Sequence, residues 1–231
     1  MKIAIDGPAG AGKSTVARKV ARALGYLYLD TGAMYRALAV LARERNISLD
    51  DHETLGAMAS SVKMDVREDN GVFRVFLDGR EVTDKLRTPE TDRAVKLLAM
   101  SRPVREVLVS LQRKFAEGGG VVMEGRDITS VVMPDAEVKV FLTADLEERA
   151  RRRWKELREK GIDIDLEEVL HELKERDRKD LERDWGRLVK VDDAVLIDST
   201  GKTPDEVLAE ILRLCEVKAS CSTDLPGACS L

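Results

Sequence analysis

Histidine and cysteine are nearly missing from this chain of 231 residues, which has two of the first and three of the second. Cys215, Cys221 and Cys229 all fall in its last stretch, form no CxxC pair and have no histidine beside them, so no zinc site is expected. Their odd number, in a chain expected to be cytoplasmic, also speaks against a disulfide framework. His52 and His171 stand among charges in stretches of helical spacing and read as solvated helix residues rather than proton carriers. No apolar run approaches the roughly 20 residues that cross a bilayer. The opening MKIAID has none of the basic, apolar and small-residue segments of a secretory leader. Positive charge is not in excess: with a net charge of -4, bulk attraction to nucleic acid is lacking. No nucleic-acid partner and no membrane are expected, and the expected location is the cytoplasm.

What is there points to one domain. Hydrophobic residues make up 43% and charged residues 35%, which suits a substantial core under a heavily charged surface. Short apolar runs recur as KIAID, YLYLD, VVMEG, VKVFL and AVLID, and all but VVMEG lie next to a charged stretch with helical spacing, such as STVARKVARALG or LEERARRRWKELREKG. Strands alternating with amphipathic helices predict an α/β fold, a five-stranded parallel sheet covered by helices on both faces. Gly25 and Gly161 stand where helices should stop. From about Val62 to Val82 the rhythm changes to period-two alternation, with Asn70-Gly71 and Asp78-Gly79 as hairpin signals. This predicts a small antiparallel sheet inserted between helices. After Cys215 the text EVKASCSTDLPGACSL is small, polar and aperiodic, and residues 216–231 are expected to be a disordered tail.

Residues 7–15, GPAGAGKST, fit G-x-x-x-x-G-K-[ST] between a predicted strand and a predicted helix, the context that this motif needs. Gly7, Gly10 and Gly12, with Pro8, Ala9 and Ala11 between them, let successive backbone N–H groups point inward at phosphate oxygens. The helix start adds a partial positive charge. Lys13 is placed to bridge the β- and γ-phosphates and Ser14 to offer its hydroxyl to Mg²⁺, with Thr15 completing the set. A nucleoside triphosphate is therefore the predicted ligand, and its γ-phosphate has three fates. A GTPase switch needs a guanine-reading N-K-x-D, which the chain lacks. An ATPase needs a strand ending in an Asp that positions water, and Asp6, Asp30 and Asp198 leave that reading open. A kinase of a small anionic acceptor needs a second pocket rich in cations.

Cations for such a pocket are present. DTGAMYR places Thr31 at a helix start and Tyr35 and Arg36 one turn in. EGRDITSVVMPDA puts Arg126 and Asp127 at the carboxyl end of a central strand, where open α/β sheets bind ligands. In ERDRKDLER, Arg176, Asp180 and Arg183 share one helix face. Arg149, Arg152 and Arg153 form another cluster, and two Arg-loaded helices joined near Gly161 predict a lid over phosphates. Taken singly, a helix cap or a salt-bridged surface helix explains most of these as well.

Taken in order, IDGPAGAGKST, LDTGAMYR, GRDITSVVMPDA, KERDRKDLER and DSTGKTPDEV resemble the motifs of the bacterial cytidylate kinases, a family of nucleoside monophosphate kinases, over roughly Lys2 to Leu214. The resemblance implies transfer of the γ-phosphoryl group of ATP to CMP or dCMP, with Mg²⁺, by a monomer whose partners are these small molecules. It implies a P-loop kinase domain over 1–215, with an inserted monophosphate-binding region at about 58–95 and lid helices at about 149–184. Arg36, Arg126 and Arg183 would hold the acceptor phosphate and Arg176 and Asp180 the sugar, with Thr31 and Tyr35 nearby. Arg152 and Arg153 would act from the lid, and the turn Asp198–Gly201 would lie near the adenine. Arg105 and Asp127 would read cytosine, whose N4 amino group donates and whose N3 and O2 accept. Two positions depart from the family: Lys96 aligns with a serine that commonly touches the base, and Thr129-Ser130 replaces the usual Gly-Thr after Gly125–Ile128. The alternatives are a kinase of the same architecture acting on UMP or another small phosphorylated acceptor, and an ATP-driven switch with no acceptor.

Overall fold

The computed structural model of the protein describes residues 1–69 and 72–223. The chain opens with β1 (Lys2–Asp6), α1 (Lys13–Leu24), β2 (Leu27–Asp30), α2 (Thr31–Glu44) and α3 (His52–Ser61). It continues with β3 (Met64–Asp69), β4 (Val72–Leu77), β5 (Arg80–Glu81), α4 (Pro89–Leu98) and α5 (Arg102–Ala116). The second half holds β6 (Val121–Gly125), β7 (Val138–Thr143), α6 (Leu146–Glu159), α7 (Leu166–Glu182), β8 (Val195–Asp198) and α8 (Pro204–Thr223).

Five strands form one sheet in the order β2-β6-β1-β7-β8, every pair parallel. They coincide with the five apolar runs of the sequence. Period-two alternation sends Ile3, Ile5 and Val122 into a core shared with Val16, Val20 and Ile211 of α1 and α8. Ala4 and Met123 face the other way, into the larger core built by α2 to α5. With both faces covered, the strands need no polar face, and each fully buried Ile contributes about 1.5–3 kcal/mol. The chain leaves β1 toward one side of it and leaves β6 toward the other, so a crevice opens above their carboxyl ends.

Strands β3, β4 and β5 form the expected small antiparallel sheet. At its second turn both Asp78 (φ 49) and Gly79 (φ 82) take positive φ, as a two-residue hairpin of this hand requires. The first hairpin signal, Asn70-Gly71, lies outside the described residues. Val66, Val75 and Leu77 tie this sheet into the larger core. Helices α6 and α7 pack on each other around Ala150, Val169 and Leu173, with Ala9 of the Gly-rich loop closing that small cluster. Gly10 is part of the same close approach: it has φ 78, and a Cβ there would meet Arg149 Cβ at 3.0 Å.

The expected tail requires a correction. Helix α8 continues to Thr223, past the point at Glu216 where disorder was expected. Buried Ile211 and Cys215 dock the helix, and a helix already nucleated extends at little cost through Glu216, Val217, Lys218 and Ala219. Residues 224–231, with Cys229, lie outside the described part. Among the described residues no helix is long and apolar enough to cross a membrane.

Candidate active site

A cleft of about 1400 Å³ lies over the carboxyl ends of β1, β2 and β6 and runs out between α4 and α7. Arg149 and, in the turn Asp198–Gly201, all but Ser199 stay outside it; of the other site residues expected from the sequence, all but Gly7 and Pro8 line it. Those two lie beneath it, and their carbonyls accept from Lys13 Nζ at 2.8 Å each. Burial, with the nearby Arg126 cation, lowers the Lys13 ammonium to about 7, against the pull of Glu124 and Asp6. A polyphosphate entering the loop would relieve that cost by supplying counter-charge.

Beside Lys13 stands a carboxylate to which the sequence reading assigned no role. Ser14 Oγ donates to Glu124 Oε1 at 2.6 Å, and Tyr28 Oη lies 3.3 Å from the same oxygen. Burial and the charge of Asp30 raise the Glu124 carboxyl, opposed by Lys13 and by the Ser14 bond. A hydroxyl and a carboxylate side by side are hard oxygen donors of the kind Mg²⁺ takes. No group of three or more His, Cys, Asp or Glu that could hold a metal occurs among the described residues. Glu124 is the register partner of Asp30 at the ends of β6 and β2, so an acidic residue closing an apolar run, the signal that marks Asp30, also points to Glu124.

Asp6, one of the three strand-end aspartates, has another task. Its carboxylate accepts from the N–H of Ile128 (3.0 Å), from that of Thr129 (2.7 Å) and from Thr129 Oγ1 (2.7 Å). The Thr129 departure therefore adds a side-chain bond that anchors the turn immediately after Asp127. Burial raises the Asp6 carboxyl to about 6, against these hydrogen bonds. The folded chain thus holds this proton more tightly than the unfolded one, whose value is near 3.8. Its contribution to stability is full below that value and is lost as pH rises through about 6. Asp6→Asn carries no such proton. Stability of the wild type relative to this variant should fall by about 2 kcal/mol between roughly pH 4.5 and 7.5, read as the difference in thermal midpoint. A pH-independent difference would mean that Asp6 titrates as it does in water.

Arginines converge on the middle of the cleft. Arg126 Nε donates to Asp180 Oδ2 at 2.8 Å and Arg183 Nη2 to Asp180 Oδ1 at 2.6 Å, so one buried carboxylate holds two cations. Burial pushes the Asp180 carboxyl up, yet the guanidinium groups of Arg126, Arg183 and Arg176 outweigh it and hold it below the usual range. Arg176 lowers to about 10 through burial and repulsion by Arg126. Arg183 Nε is buried without a partner. Arg36 Nε and Arg153 Nη2 both donate to Asp92, at 3.2 Å each. Asp92 thus ties α2 to α6 across α4, a link with no trace in the sequence.

Arg152 turns toward the other end of the cleft, where its Nη1 and Nη2 donate to Ser199 Oγ (3.0 Å) and Ser199 O (2.7 Å). Arg149 is buried and donates to Ala9 O (3.0 Å), Ala144 O (2.9 Å) and Asp177 (2.6 Å), so it braces α6 against the loop. Near the mouth, Lys96 Nζ lies 3.8 Å from Glu172 Oε2 of α7. His52 and His171 are both exposed on helices, as expected.

Arg105 and Asp127 form a pair at the floor of the α4 side. Arg105 Nη2 donates to Asp127 Oδ2 at 2.5 Å, and both side chains are under a tenth exposed. Burial raises the Asp127 carboxyl, opposed by Arg105 and Arg183. The Tyr35 ring lies 5.7 Å from the Arg105 guanidinium. A buried donor–acceptor pair of this kind can read the hydrogen-bonding edge of a planar ring.

The arrangement can hold a polyphosphate over the Gly-rich loop and a second anion among the arginines, in one continuous space. The family model described as cytidylate kinase matches residues 3–217. A protein named cytidylate kinase from Pelotomaculum thermopropionicum is 51% identical over 211 residues, covering 91% of this chain and 93% of its own. One of the same name from Desulfitobacterium hafniense is 49% identical over 214 residues, covering 93% and 92%. A solved structure of an uncharacterized protein from Eubacterium ventriosum shares the fold, at a TM-score of 0.53 and 14% identity over 94% of this chain and 98% of that one.

Proposed function

The chain belongs to the cytidylate kinase family, and from that premise we propose how its cleft joins ATP to a cytidine monophosphate. The protein is a kinase that phosphorylates CMP and dCMP at the expense of ATP. The observation that carries the site assignment is the second cationic pocket. Arg36, Arg126, Arg176 and Arg183 line the same cleft as the Gly-rich loop, which an ATP-driven switch without an acceptor would not need. ATP lies with its phosphates on the loop between Gly7 and Thr15, where Lys13 meets the β- and γ-phosphates, and with its base toward Ser199. Ser14, with Glu124 beside it, would hold Mg²⁺, and when bound the ion would neutralise charge on the phosphates.

The acceptor phosphate lies between Arg36, Arg126 and Arg183, and Arg176 and Asp180 meet the sugar. Arg105 donates to N3 or O2 of cytosine and Asp127 accepts from N4. Catalysis is then positioning and charge. The arginines hold two anions in line, and closure of α6 and α7, with Arg152 and Arg153, excludes water. All these groups come from one chain, which supports action as a monomer. We place it in the cytoplasm, with small molecules as its only partners.

An ADP-release assay with CMP, dCMP, UMP, AMP and GMP as acceptors tests the reading. CMP and dCMP should each accelerate ADP release strongly and UMP far less. ATP turnover indifferent to every monophosphate would overturn it.

A further inference from the structure

Past Glu182 the chain leaves α7 and turns through Asp184, Trp185 and Gly186, until Leu188 N–H donates back to Asp180 O at 2.7 Å. This turn lies against the far side of Arg105. The Trp185 ring is 5.1 Å from the Arg105 guanidinium, so that cation has Tyr35 as one aromatic neighbour and Trp185 as another. Gly186 O accepts a long bond from Arg105 Nη2 at 3.4 Å. Gly186 has φ +64, and a Cβ there would fall onto the Arg105 guanidinium and lie 2.5 Å from Asp127 Oδ2. Meanwhile Arg105 Nε is buried with no partner. The orientation of this guanidinium therefore rests on one carboxylate, two long bonds to carbonyls and two rings. Trp185 itself is half-buried against the larger core, and neither it nor Gly186 lines the cleft.

We propose that Trp185 and Gly186 are positioning residues for base selection: the indole and the bare glycine backbone hold Arg105 in the orientation that accepts cytosine rather than uracil. The inference rests on the reading that Arg105 and Asp127 meet the base. The guanidinium is planar, and its five donors point in fixed directions, so a small rotation about its side-chain axis changes which ring atoms it can meet. A cation over an indole is held by the ring quadrupole as well as by contact, which an aliphatic side chain does not supply. The turn also follows directly on the helix that carries Arg176, Asp180 and Arg183. The phosphate-side arginines and the orientation of the base-reading arginine are thereby set by one continuous segment.

The test is kcat and KM for CMP, UMP and ATP in Trp185→Phe, Trp185→Leu and Gly186→Ala, with thermal midpoints. Trp185→Leu should raise KM for CMP about tenfold and lower the preference for CMP over UMP, with KM for ATP and the midpoint nearly unchanged. Trp185→Phe, which keeps a ring, should recover most of the preference. Gly186→Ala should lose CMP selectivity through the displaced Arg105. In Trp154→Phe, which leaves Trp185 as the only indole, CMP should change the fluorescence while ATP alone should not. The inference is overturned if Trp185→Leu keeps the wild-type preference, or if it raises both KM values equally and lowers the midpoint. Arg105→Lys separates the two levels. If it collapses the preference while Trp185→Leu does not, only the role of Trp185 falls. If it too leaves the preference intact, the base-site reading falls and this inference with it.

Discussion

Arg126→Ala should lower kcat for CMP phosphorylation by about 10³-fold or more, while binding of ATP survives. An arginine that stabilises charge on a transferring phosphoryl group typically supplies 10³ to 10⁵ in rate, and Arg126 lies close enough to Lys13 to lower its ammonium, so from the acceptor phosphate it also faces the group in transfer. Arg126 stands at the end of β6, its Nε fixed by Asp180 at 2.8 Å, so little reorganisation is needed when that charge develops. Removing it leaves Asp180 paired with Arg183 at 2.6 Å, so the fold should keep a compensated carboxylate. The ATP side is built from the Gly-rich loop and remains whole. Steady-state rates at saturating CMP, with ATP affinity by calorimetry, read the two effects apart. Near-normal turnover would remove Arg126 from the acceptor site. Lys13→Ala is the contrast, since it should impair both the rate and the hold on ATP.

The second large effect concerns the base. Asp127→Asn keeps the shape of the carboxylate but offers an amide, which can turn its NH₂ toward the position where uracil carries O4. CMP turnover should fall steeply and UMP turnover should fall less or rise. A mispaired buried group costs about 1–3 kcal/mol, which corresponds to roughly ten- to a hundredfold in the ratio of kcat/KM for the two acceptors. The buried Arg105 loses its carboxylate in the same change, which adds a loss shared by both substrates and leaves the ratio to report on selection. An unchanged ratio would mean that the base is read elsewhere. Lys96 gives a useful control: its Nζ faces Glu172 at 3.8 Å, so Lys96→Ser should preserve CMP use.

Much of this was legible from residue order alone. The five parallel strands, the inserted hairpin sheet and the Gly-rich loop each announce themselves through local rules: alternation or continuity of apolar residues, turn residues that tolerate positive φ, and a cation directly after the cradle. These features depend on neighbours in sequence, and so the sequence determined them. The end of α8 is not legible in the sequence, because its last turns have little periodicity of their own and follow from docking at Ile211 and Cys215.

Only the tertiary structure decided which charges face which. Glu124 meets Ser14 110 residues away, Asp6 anchors Thr129 at a separation of 123, and Asp92 links Arg36 to Arg153. Trp185 and Gly186 reach Arg105 from 81 residues off in the case of the carbonyl bond. No local pattern encodes such contacts, because their energy comes from desolvation and charge pairing that exist only once the sheet and helices bring the groups together. A chain of charged helices looks alike whether its arginines face water or phosphate. The sequence supplied the cations and the strand ends, and packing selected which of them became buried, paired and aimed into one cleft.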